Sequence, residues 1–186
     1  GIFGQVSSFK VNQDRLNKLA QHSEQRGIDS SGLVYYNNSG YKIDRADYKI
    51  KKLLKKVKPY NSPVVLGHSR LITNGMDDNQ PVAYDNICAI HNGIIVNEEE
   101  VWSKIKTKRR LKIDSELIIA IAEEYMDQGG DLSGLPQKIL ALCRGTIACA
   151  LVVPKIGKIL LFSNNGSLYI GENGQELHFA SESYSL

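Results

Sequence analysis

Apolar positions along this chain recur with two periods, and the switch between them outlines its elements. The opening GIFGQV is a short, largely apolar strand. From Asn12 to Arg26, Leu16, Leu19 and Ala20 fall at helical spacing, with Asn12 placed to cap and Gly27 to stop the helix. Residues 32–37 and 41–44, joined through Asn38 and Gly40, predict a hairpin. Ile50, Leu53, Leu54 and Val57 form the stripe of a second helix that ends at Pro59, with lysines on its other face. Residues 63–69, 86–91 and 94–96 predict further strands with loops at their ends. The strongest helical pattern runs from Asp114 to Gln128, opened by Asp114 and striped by Leu117, Ile118, Ile121 and Ala122. Another helix is expected around Leu132–Leu142. From Gly145 the period drops to two, and residues 145–154, 158–164, 167–171 and 176–182 predict four strands of a terminal β-meander.

Strands, then a helix pair, then strands again, without βαβ alternation, argue for an α+β layered sandwich of mainly antiparallel sheet. No repeat or Pro-rich linker divides the chain, so residues 1–186 are expected to form a single domain. The 186 residues, 42% of them hydrophobic, suffice for a core of their own, which excludes collagen, coiled coil and wholesale disorder. The longest apolar run, Thr146 to Pro154, is far shorter than the roughly 20 residues of a bilayer-spanning helix. With no basic-then-apolar leader, the expectation is a cytoplasmic protein without membrane contact.

Charge adds two features. The net charge of +3 is concentrated in Lys49–Lys58 and Lys104–Lys112. Lysines on the polar side of a helix read first as a solvated face, with a phosphate or an acidic partner as the other reading. Specific nucleic-acid binding is not expected, because no aromatic stacking motif accompanies the lysines. Cys88, Cys143 and Cys149 are an odd number in apolar stretches, without CxxC or metal spacing, and read as buried structural thiols with no metal site. Phosphate-loop and dinucleotide signatures are absent, and no cofactor is implied.

The candidate chemistry lies at strand ends. In GHSRLITNG an apolar strand delivers Arg70, Thr73 and Asn74 into a glycine-bounded loop. A guanidinium fixed there offers a planar fork to a carboxylate, or simply joins a structural ion pair. In HNGII, Asn92 and Gly93 interrupt what would otherwise be one strand. An amide donor followed by an approachable backbone N–H suits an oxyanion hole, and the same dipeptide suits a tight hairpin turn. Asp114 can cap its helix or bind a ligand's ammonium. In RGIDSSG, Arg26 and Gly27 form a helix stop and turn.

Taken in order, GIFG, RGIDSSG, GHSRLITNG, NQP, HNGII, DSELI, RGTIACAL, NNGSLYIG and FASESYSL resemble the class II glutamine amidotransferases across essentially the whole chain. These are N-terminal-nucleophile glutaminase domains, found in glucosamine-6-phosphate synthase and glutamine phosphoribosylpyrophosphate amidotransferase. The resemblance implies a four-layer αββα sandwich and release of ammonia from L-glutamine through an N-terminal cysteine thioester. It implies Arg70 as ligand of the glutamine α-carboxylate, Asp114 as ligand of the α-ammonium, and Thr73 and Asn74 as pocket lining. Asn92, through its side chain, and Gly93, through its N–H, would hold the oxyanion, and Arg26 would lie near the nucleophile. The family opens Cys-Gly-Ile-x-Gly, so the cysteine is expected directly before Gly1. Cys88, Cys143 and Cys149 cannot replace it, because the mechanism uses the free α-amine of the nucleophile as base. Leu71, Asn74 and the short Asn79-Gln80-Pro81 segment depart from the pattern. The implied partner is an ammonia-accepting synthetase domain or subunit, and the alternative is an inactive glutamine- or partner-binding relative.

Overall fold

The computed structural model describes residues 1–71 and 78–186. In chain order the elements are β1 (Ile2–Ser7), α1 (Gln13–Ser23), β2 (Ser30–Asn37), β3 (Gly40–Ala46), α2 (Ile50–Val57), β4 (Val64–Arg70), β5 (Val82–Tyr84) and β6 (Ile87–Ile95). There follow α3 (Glu98–Trp102), α4 (Glu116–Asp127), α5 (Leu135–Leu142), β7 (Gly145–Val153), β8 (Lys158–Ser163), β9 (Tyr169–Asn173) and β10 (Glu176–Ala180). They form two compact units, one of residues 1–81 with 166–186 and one of residues 82–165.

The first unit is a six-stranded antiparallel sheet in the order β3-β2-β4-β1-β10-β9. Alternation along its strands turns Phe3, Leu33, Val65 and Ala180 toward one face, where they meet Leu16 and Leu19 of α1 and Ile50 and Leu54 of α2. Ile2, Val34, Leu66 and Phe179 alternate to the other face and are buried as well. A sheet apolar on both faces is the inner kind of layer. The Asn12 side chain accepts the Arg15 N–H at 3.0 Å and starts α1, as its position predicts. Its C-terminal end tightens into a 3₁₀ turn at Glu24–Arg26 before Gly27.

The second unit is a four-stranded antiparallel sheet, β5-β6-β7-β8. Ala89, Ile95, Ile147, Cys149 and Leu151 face the helices and pack with Leu117, Ile118 and Ile121 of α4 and Leu135 and Ile139 of α5. Each fully buried aliphatic side chain of this kind contributes about 1.5–3 kcal/mol relative to exposure. Cys88, Ile90, Ala148 and Ala150 are buried on the opposite face. All three cysteines are free and buried, as expected, and burial pushes the Cys143 thiol up to about 12.

Three local expectations change. Asn92 and Gly93 do not break a strand or make a turn, because β6 runs unbroken and pairs both with Ala148 and Ile147 of β7. The four C-terminal strands exist but are no single meander: β7 and β8 belong to the second unit, β9 and β10 to the first. β10 inserts between β9 and β1, so the last strand takes the first as its neighbour. Asp114 does not cap α4, since its carboxylate turns elsewhere and Ser115 precedes the helix without a side-chain cap. β5 and the one-turn α3 are additional, both too short for periodicity to reveal.

The basic runs are largely accounted for as surface. Lys52 and Lys56 lie over the Tyr48 ring at 4.7 and 4.8 Å. In the second run Lys104 pairs with Glu100 at 2.6 Å, and Arg109 with Glu98 and Glu99 at 2.8 and 3.0 Å. Among the described residues no helix is long and apolar enough to cross a membrane.

Candidate active site

In the first unit the chain's first residue continues the β1–β4 ladder. The Gly1 nitrogen donates to Ser69 O at 2.6 Å, and Gly1 O accepts the Ser69 N–H at 2.9 Å. Ser69 is tied in turn to Ser23, hydroxyl to hydroxyl at 2.8 Å. Arg26 lies against this point: a Cβ placed on Gly1 would lie 2.9 Å from the arginine Cγ. Its guanidinium pairs with Glu182, just past β10.

Arg70 follows Ser69 at the end of β4, half-buried, with Nη1 donating to Asp78 O at 2.5 Å. Gly27 makes this approach possible. A Cβ there would fall 2.1 Å from Arg70 C and 2.0 Å from Leu71 N, and Gly27 holds φ at +156°, which favours glycine. The sequence-predicted Arg26 and Arg70 thus both lie beside the head of β1. Thr73 and Asn74 lie outside the described residues.

The second unit collects Asn92, Gly93 and Asp114. The ladder fixes their roles through its alternation of hydrogen-bonded and non-hydrogen-bonded pairs. On its β8 side the Ile147 N–H donates to the Asn164 side-chain Oδ1 at 2.8 Å and Ile147 O accepts the Asn164 N–H at 3.0 Å, while Val96 donates to Arg144 O. The Gly93–Ile147 pair is therefore of the non-hydrogen-bonded kind, and the Gly93 N–H points away from β7. On that side β5 stops at Val82, opposite Ala89. Among the described residues of this unit, no strand reaches the Gly93 N–H.

Ile95, two residues on, faces the same open edge, and its N–H donates to Asp114 Oδ2 at 2.9 Å. One stretch of exposed strand edge thus presents a backbone donor and a carboxylate two residues apart, about 7 Å. Asn92 falls in a hydrogen-bonded pair with Ala148, which leaves its half-buried side-chain amide as the group it can offer a ligand.

Asp114 is held there by the loop before α4. Glu116, fully buried, accepts the Arg110 and Leu111 N–H groups at 2.8 Å each and the Tyr84 hydroxyl at 2.7 Å. The Arg110 guanidinium covers the Tyr84 ring at 4.2 Å. Beneath Gly93 lies His91, 2% exposed, with Nδ1 3.1 Å from Ser115 Oγ and Nε2 3.2 Å from Thr146 O. A carbonyl can only accept, so Nε2 carries the proton, and the unprotonated Nδ1 shares the single Ser115 hydroxyl proton with Asp114 Oδ1, 3.3 Å from that hydroxyl. Among the described residues no three His, Cys, Asp or Glu side chains cluster as a metal ion would need.

Burial holds His91 below the ordinary histidine value, with Asp114 and the Thr146 carbonyl pulling the other way. The unfolded chain therefore takes up this proton first as pH falls through about 6.5, and the folded state loses stability below that point. In urea titrations at a series of pH values, wild-type stability is expected to decline from pH 7 to 5 more steeply than that of His91→Gln. Equal slopes would show that the imidazole is not held neutral by the fold.

The family profile described as a glutamine amidotransferase domain matches residues 68–186, more than half of the chain. The chain belongs to this family. It is a class II glutamine amidotransferase domain with the N-terminal-nucleophile hydrolase fold. It is 26% identical over its whole length to a glutamine–fructose-6-phosphate aminotransferase (isomerizing) of Bradyrhizobium diazoefficiens, and 30% identical over 97% of its length to that of Campylobacter jejuni. It spans about a third of these relatives, 31% and 32%. Among solved structures, the glutamine phosphoribosylpyrophosphate amidotransferase of B. subtilis aligns with TM-score 0.76 at 19% identity, covering 99% of this chain and 42% of that one. A glutamine aminotransferase class-II domain protein from Silicibacter pomeroyi aligns with TM-score 0.64 at 15% identity, over 96% of this chain and 86% of its own.

The buried, bonded roles of His91, Ser115 and Glu116 in this amidotransferase domain are not visible in its sequence. A polar residue directly before Asn-Gly, and two polar residues opening an apolar helix, were the available signals. Neither separates a solvent-facing side chain from a buried, bonded one, because that depends on which strand lies opposite.

Proposed function

We propose that this domain hydrolyses L-glutamine and supplies the ammonia to an acceptor site on another domain or chain. The nucleophile is a cysteine directly ahead of Gly1. Its thiol passes a proton to its own α-amine as sulfur attacks the side-chain amide carbon, giving a tetrahedral oxyanion. The amine then returns the proton to the departing nitrogen, ammonia leaves, and a γ-glutamyl thioester remains. Water cleaves the thioester to glutamate and restores the thiol.

Arg70 binds the α-carboxylate by its planar fork and Asp114 the α-ammonium. Arg26 flanks the nucleophile. Asn92 and the Gly93 N–H stabilise the oxyanion, where one donor is worth about 3 kcal/mol. The observation that carries this reading is the open edge of β6, where the Gly93 N–H and the Asp114 carboxylate stand two residues apart. That spacing is comparable to the distance between the ammonium and side-chain amide ends of an extended glutamine.

The test is the mass of the full-length protein before and after incubation with 6-diazo-5-oxo-L-norleucine, a glutamine analogue that alkylates such a nucleophile. The expected result is a single adduct on the residue preceding Gly1, suppressed by excess glutamine. No adduct, or an adduct on Cys88, Cys143 or Cys149 that glutamine does not suppress, would overturn the assignment.

A further inference from the structure

We propose that His91 is a positioning residue for the oxyanion donor, a role that rests on the assignments given above to Gly93 and Asp114. His91 and Gly93 are two apart on β6, so their side-chain positions share a face. Gly93 has no side chain there, and the Thr146 carbonyl together with the imidazole closes the space. A Cβ on Gly93 would fall 2.8 Å from His91 Nε2 and 1.9 Å from Thr146 O, at a φ of +150°. Glycine backbone is otherwise the freest in the chain, and an N–H that must meet a developing charge has to be aimed in advance.

Both ring nitrogens are engaged. Nε2 donates to Thr146 O, the carbonyl of the residue paired with Ile94, and Nδ1 lies 3.1 Å from the Ser115 hydroxyl. By the ladder alternation Ile94 and Thr146 form a hydrogen-bonded pair, so Thr146 O also receives the Ile94 N–H. The imidazole thus pins the carbonyl that holds the peptide just after Gly93, and the two together close the space into which Gly93 would otherwise relax. Its other end touches Ser115, whose hydroxyl is also 3.3 Å from Asp114 Oδ1. One buried ring therefore underlies both the backbone donor and the neighbour of the carboxylate.

The two attachments differ in what their loss would do. Asp114 keeps its bonds from the Ile95 N–H and the Ser115 hydroxyl whatever occupies position 91. Removing His91 should therefore disturb the aim of the Gly93 N–H while the glutamine-binding carboxylate stays in place. The signature is a change in kcat with little change in KM.

The experiment measures kcat and KM for glutamine hydrolysis in the full-length protein for wild type, His91→Ala, His91→Gln and His91→Leu, with thermal melting to verify folding. His91→Ala is expected to lower kcat about 10- to 100-fold with KM within about threefold, the size of loss that misplacing a catalytic donor causes. His91→Gln, whose amide can still donate to Thr146 O, is expected to recover most of the loss. His91→Leu, which fills the volume without a donor, should remain close to alanine. A role in packing alone predicts the opposite order, with Leu restoring activity and Gln not, and that result would overturn the proposal. So would a folded His91→Ala within twofold of wild-type kcat, or a KM that rises as far as kcat falls. Should His91→Ala not fold, the Gln and Leu variants decide between the two orders. A wild type without glutaminase activity would sink the functional reading and this inference together, whereas an active wild type indifferent to His91 would sink the inference alone.

Discussion

Asn92→Ala is expected to lower kcat for glutamine hydrolysis by about two to three orders of magnitude and to leave KM within a few-fold, the loss typical of one oxyanion donor. The ladder supports this split. The backbone of Asn92 is engaged with Ala148, so alanine keeps the strand and removes only the side-chain amide. A donor aimed at charge that exists only in the transition state contributes nothing to binding the neutral amide of the ground state. The strand location also makes the test clean, because alanine there replaces no turn residue and requires no unusual φ. Steady-state kinetics on the folded variant would check it. Unchanged kcat would reduce Asn92 to a polar residue tolerated within β6.

Replacing Asp114 produces the complementary effect. Asp114→Ala is expected to raise KM for glutamine by up to about 100-fold, since a hydrogen bond to a charged group contributes about 1.5–3 kcal/mol. Asp114 also receives the Ile95 N–H at 2.9 Å, so alanine alone would confound loss of charge with loss of an edge contact. Asp114→Asn separates them, because its amide oxygen can still accept from Ile95 while the negative charge is gone. If Asp114 binds the α-ammonium, both variants lose affinity to a similar degree. A near-normal KM in Asp114→Asn with a raised KM in Asp114→Ala would make the residue a strand-edge clamp.

Much of this molecule is legible in local pattern. The helical stripes of α1, α2 and α4 and the period-two strands of the C-terminal half all appear where apolar spacing puts them. Helix and strand formation depend on neighbours within a few positions, and the buried residues Leu16, Leu19, Leu54, Leu117 and Ile121 are the ones those patterns select. The Asn12 cap is local in the same sense. The ordered set of short motifs identified the family, which the comparison over residues 68–186 bears out.

The candidate site was legible as residue types and much less as geometry. Asn-Gly is locally the strongest of hairpin signals, and β6 overrides it because β7 lies alongside with Ala148 and Ile147 in register. Asp before an apolar helix is locally a cap, yet the Asp114 carboxylate goes to the Ile95 N–H, which is available only because β5 ends opposite Ala89.

By itself, then, the sequence determined which segments are helix or strand, which faces are apolar, and to which family the chain belongs. Tertiary structure alone decided that the last two strands leave β8 to join β1, and that Arg26 lies against the first residue. It decided too that His91 is buried beneath Gly93. The physical reason is common to all of these. Periodicity records which way a side chain points from its own backbone, whereas strand partners, ladder parity and exposed edges are set by residues far apart in the chain.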